Sequence, residues 1–144
     1  MKNPQMTTLL VPLTKAQTNY LFKTCLVSGI PSAYALYAKQ PLGLVPFSIL
    51  CTSILYWSDP RCLWKRYVDM TVSMSTIGIH SLVVFTGNYN YKYVHFPILA
   101  FGCLSYPIGI SYHKQNRLWL STYWHSMVHV FCNLAAFILY FANN

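Results

Sequence analysis

The chain has 144 residues, of which 55% are hydrophobic and 8% charged, whereas soluble globular domains carry about 25% charged residues. This excludes an ordinary soluble domain and reads as an all-α, polytopic transmembrane helical bundle in one domain, residues 1–144. The net charge of +8 does not imply a nucleic-acid partner, because the bases stand at the edges of apolar runs and no RNA- or DNA-binding motif is present.

Residues 1–18 read as a polar-to-interfacial lead-in. Thr8-Leu9-Leu10-Val11 is too short for a signal-peptide core, and Pro12 interrupts it. Five apolar segments follow at 19–38, 41–58, 67–86, 95–112 and 120–141, each near the ~20 residues that cross a bilayer. Their short connections predict that sequence neighbours pack as antiparallel neighbours. Gly29 and Pro31 in the first segment, Pro46 in the second, and Pro97 and Pro107 in the fourth predict kinks rather than ends. Aromatics at the segment ends, Trp57, Trp64, Trp119, Tyr123 and Tyr140 among them, read as an interfacial belt. The cysteines Cys25, Cys51, Cys62, Cys103 and Cys132 form no C-x-x-C pair and read as small buried hydrophobes; Cys62, in a basic loop, is open to reactivity or lipidation.

With the N-terminus inside, Lys2, Lys15, Lys23, Arg61, Lys65, Arg66, Lys114 and Arg117 fall on the inner side, and only Lys39 and Lys92 fall outside. The positive-inside rule therefore predicts N-inside, C-outside. That orientation brings the rare polar groups to one depth. Ser53 lies near the inner end of the second segment, Asp69 near the start of the third, His113 at the end of the fourth, and His125 and His129 early in the fifth.

The pair Trp124-His125-Ser126-Met127-Val128-His129 carries the sharpest signal. Residues i and i+4 share a helix face, so two imidazoles there can hold one metal ion, and such a pair inside a membrane is expensive unless it is used. A zinc site of His125, His129 and His113 or water, with Asp69 to activate water and Ser53 in support, is one chemistry these residues allow. Plainer roles stand beside it. Asp69 can pair with Lys65 at i, i+4; Ser53 can bond back to its own helix; His113 and His95 can be interfacial; His80 can make a structural hydrogen bond. His80 lies about three turns from Asp69, too far to share a metal.

Ser53-Ile54-Leu55-Tyr56-Trp57, Asp69 in the next span and His125-x-x-x-His129 in the last resemble the CREST superfamily, which includes alkaline ceramidases, progestin and adiponectin receptors and myomaker-like proteins. In that family S-x-x-x-H, an aspartate in the following span and a final H-x-x-x-H surround zinc on the inner side. Two departures stand out: Trp57 occupies the position of the family's first histidine, and five spans are counted where the family usually has seven. The resemblance implies a metal-dependent hydrolase of lipid amides or esters, acting on membrane lipids. The alternative is a non-catalytic receptor-like protein, or a structural subunit with membrane-protein partners. A transporter is disfavoured, since five spans give no inverted repeat of equal halves.

Overall fold

The computed structural model describes residues 13–40, 42–87 and 90–142; of the lead-in expected over 1–18, residues 1–12 lie outside them, and the part from Lys15 on is already helical. Helices α1 (Lys15–Cys25), α2 (Gly29–Tyr37), α3 (Leu44–Ser58), α4 (Leu63–Thr86), α5 (Lys92–Lys114) and α6 (Leu118–Ala142) make up the fold, with no strand among the described residues. Of these, α4, α5 and α6 are long and apolar enough to cross a membrane, and α3 is apolar but shorter. The protein is thus a membrane-type helical bundle.

The first apolar segment is two helices in line. Thr14 opens α1 with a capping box: the Gln17 N–H donates to Thr14 Oγ1, and the Gln17 side chain takes the Thr14 N–H at 2.9 Å. One turn of 3₁₀ helix over Leu26–Ser28 then joins α1 to α2. Pro31 has no N–H for the Val27 carbonyl and its ring crowds that oxygen, which is where a helix tightens or bends. Pro46 does not kink the second segment as expected. Helix α3 starts at Leu44, so Pro46 falls in its first turn, where no intrahelical N–H is required. Helix α5 runs unbroken through Pro97 and Pro107.

Helix α6 is the centre of the packing. It lies along the whole of α5 on one side and meets α1 and α2 on the other. Two glycines bring α5 that close: a Cβ on Gly102 would stand 2.8 Å from Cys132 Sγ, and one on Gly109 would stand 3.3 Å from the Ser121 carbonyl oxygen. Small residues at such a seam let helices pack where lipid gives no hydrophobic drive. Helix α3 fits beside α1 and α2, and α4 leans chiefly on α3. The expectation that sequence neighbours pair therefore fails for α4 and α5, which touch only lightly.

The interior is more polar than the exterior. Gln17, Ser28, Ser32, Ser53, Thr76, His80, His95, Thr122 and Asn133 are buried, while Met74, Leu82, Phe85 and Leu104 are exposed. A soluble protein could not afford that exterior; in hydrocarbon it is the stable arrangement.

Candidate functional site

Helix α6 begins beside α1, as the edge-on packing of Tyr20 against Trp119 and Tyr123 shows, and α4 begins at the same end, since it follows a short turn after Trp57, which packs on His125. Helix α3 runs the other way and ends there. Ser53, four residues before Trp57, thus reaches the second turn of α4. Its hydroxyl donates to Asp69 Oδ1 at 2.7 Å. The Thr52 hydroxyl donates to the same oxygen at 3.1 Å and also to the Ile49 carbonyl at 3.2 Å. Asp69 is buried. Two of the plainer expectations are corrected. Ser53 bonds across helices rather than back to its own, and Lys65 pairs with Asp59 at 3.6 Å rather than with Asp69. Asp59 sits in the α3–α4 turn beside Lys65, so the exposed carboxylate captures that lysine.

Trp57 is the residue that the pattern of aromatic span ends misassigned. It is only 3% exposed and packs with Leu21 and Cys25 rather than in an interfacial belt. Its ring stands edge-on to His125, with centroids 5.3 Å apart, and to His129 at 6.5 Å. The two imidazoles lie 5.3 Å apart on adjacent turns of α6, and Tyr106 of α5 meets His125 at 5.9 Å. Trp57 Nε1 and His129 Nε2 are both enclosed and have no hydrogen-bond partner. A signal for this was present: Trp57 follows Ser53 by one turn, so it shares the face that reaches Asp69.

The chain therefore brings Ser53 to Asp69, and Trp57 to His125 and His129. His113, on the last turn of α5, is half-buried and joins neither group. Among the described residues no three histidines, cysteines or carboxylates converge in a metal-binding group. A catalytic zinc takes three protein ligands and water. The residues present supply two imidazoles, with an indole packed against both.

A second polar cluster sits at the opposite end of the bundle. The Tyr140 hydroxyl donates to the Leu42 carbonyl at 3.1 Å, so its oxygen accepts the Nε2–H of His80 at 2.7 Å. His95 Nδ1–H donates to the Ala135 carbonyl at 3.0 Å. His80 thus makes the structural hydrogen bond expected of it. His95 is 1% exposed, not interfacial, because the α5–α6 seam closes over it. Tyr140, also assigned to the belt, is buried for the same polar reason: its hydroxyl caps a carbonyl of the α2–α3 turn.

No family model matches the chain, and neither does any curated protein or any solved structure.

Proposed function

We propose that the chain is a five-span integral membrane protein, N-inside and C-outside, that uses a CREST-like helix arrangement as a non-catalytic, receptor-like lipid-binding protein. The observation that carries this reading is Trp57. It stands edge-on to both histidines of the pair, at the place where the resembled family has a metal-binding histidine. An indole N–H is a donor with no lone pair to offer a cation. The Ser53–Asp69 hydrogen bond supports the scaffold half of the reading, since it joins the same two residue types in the same two successive spans.

A second reading, zinc-dependent hydrolysis of a lipid amide or ester, is favoured by the enclosed, unpartnered Nε2 of His129. In that reading His125 and His129 would hold the metal, water would complete the shell since His113 joins neither group, Asp69 would serve as proton acceptor, and Ser53 would fix its carboxylate. Zinc, when bound, supplies a water that ionises near neutral pH.

The experiment is metal content and lipid hydrolysis on the same purified full-length protein. The non-catalytic reading expects far less than one zinc per chain and no release of fatty acid from ceramide-like lipids. One zinc per chain together with hydrolysis that is lost in Asp69→Asn overturns it in favour of the second reading.

A further inference from the structure

Trp57 Nε1 and His129 Nε2 are two enclosed polar atoms without partners, on rings packed against each other across α3 and α6. Leaving both unmade is costly, because each gave up a hydrogen bond to water on burial. Their chemistry is complementary. The indole N–H can only donate. On His129 the enclosed atom without a partner is Nε2, and the tautomer with its proton on Nδ1 leaves a lone pair there that complements the indole donor. A proton on Nε2 would instead set two unsatisfied donors side by side.

One small group answers both atoms at once. A hydroxyl oxygen accepts from Trp57 Nε1–H while its own proton goes to His129 Nε2. A carbonyl or an ether answers the indole alone, and an ammonium answers the imidazole alone. A metal cation would face the positive edge of the indole. The surroundings are apolar on the α1 side, where Leu21, Cys25 and the partly buried Ile54 pack around Trp57. An alkyl chain entering beside the polar pair would lie against these apolar side chains.

We propose that Trp57 and His129 form a binding site for the hydroxyl group of a membrane lipid alcohol. This names the ligand class of the lipid-binding reading above and rests on it. Water shares the hydroxyl chemistry, so the probes separate the two sources.

The test uses the full chain in lipid nanodiscs, with the indole N–H resonance of Trp57 followed by NMR and assigned by its loss in Trp57→Phe. Hexadecanol, its methyl ether and hexadecane are titrated in turn. The ether keeps the acceptor oxygen but has no proton for His129. The expected result is a shift of the Trp57 resonance with hexadecanol and affinity roughly tenfold above that of the ether, the scale of one buried hydrogen bond. In His129→Phe, which keeps a ring against Trp57, alcohol and ether bind alike. A Trp57 resonance unmoved by hexadecanol means that water alone serves the pair and overturns the proposal. So does equal affinity for alcohol and ether in the wild type, or a preference for the alcohol that survives in His129→Phe. Each of those outcomes leaves the non-catalytic reading intact, which only bound zinc with lipid hydrolysis removes.

Discussion

Asp69 is held by hydroxyls rather than by a cation. Ser53 at 2.7 Å and Thr52 at 3.1 Å share one of its oxygens, so the shorter bond carries more of the anchoring. Ser53→Ala is expected to lower stability by about 1.5–3 kcal/mol, the range for a hydrogen bond to a charged group, and Thr52→Ala by less. Chemical unfolding of both variants in micelles, followed by circular dichroism, checks the order. Tyr140→Phe deletes the hydroxyl between His80 and the Leu42 carbonyl and leaves the buried His80 Nε2 unpaired, while the carbonyl keeps the Val45 N–H at 2.9 Å. It is expected to cost about 1–3 kcal/mol by the same measurement, and an effect near zero would mean that water replaces the hydroxyl. At this scale the sequence was legible where a polar residue interrupts an apolar run: Ser53, Asp69, His125 and His129 all lie in one region of the bundle. Trp57, Tyr140 and His95 were not legible. An aromatic or imidazole near a span end has the same local pattern whether it faces headgroups or a neighbouring helix, and only packing decides.

The helices were legible to within a turn, and their irregularities followed proline. Leu26–Ser28 tightens ahead of Pro31, as a missing N–H requires, while Pro46 was misjudged only because α3 begins three residues later than the apolar run. The seam between α5 and α6 was invisible in the apolar pattern, because it is written in the small residues Gly102, Ser105 and Gly109. Two glycine substitutions of opposite sign test it. Gly102→Leu would drive a side chain into Cys132, whose backbone nitrogen is 3.1 Å from the new Cβ, so overpacking of about 1–3 kcal/mol is expected. Gly78 on α4 has no neighbour within 4 Å of such a Cβ. Gly78→Ala is expected to stabilise by about 0.5–1 kcal/mol through helix entropy alone. Thermal midpoints of the two variants should move in opposite directions; a common direction would contradict the close α5–α6 approach.

For the molecule as a whole, the membrane class was readable from composition, and the order of helices in space was not. Short loops suggested a simple walk from neighbour to neighbour. Instead α6 takes the centre and α4 is left against α3, because the last helix carries both the small-residue contact to α5 and the polar face toward α1–α3. The proposed five spans put the two ends of the chain on opposite sides of the membrane. Reporter tags at each end should therefore give opposite accessibility, and equal accessibility would require an even number of spans. Trp57 packs against His125 and His129, and the proposed scaffold reading makes it the replacement for a third metal ligand. Zinc stoichiometry of purified wild type and Trp57→His tests it most directly, since the substitution supplies the third imidazole that a catalytic zinc shell needs. The expected result is near-zero zinc in the wild type and close to one per chain in Trp57→His, lost again when His129→Ala is added. Equal zinc in the wild type and Trp57→His would contradict it.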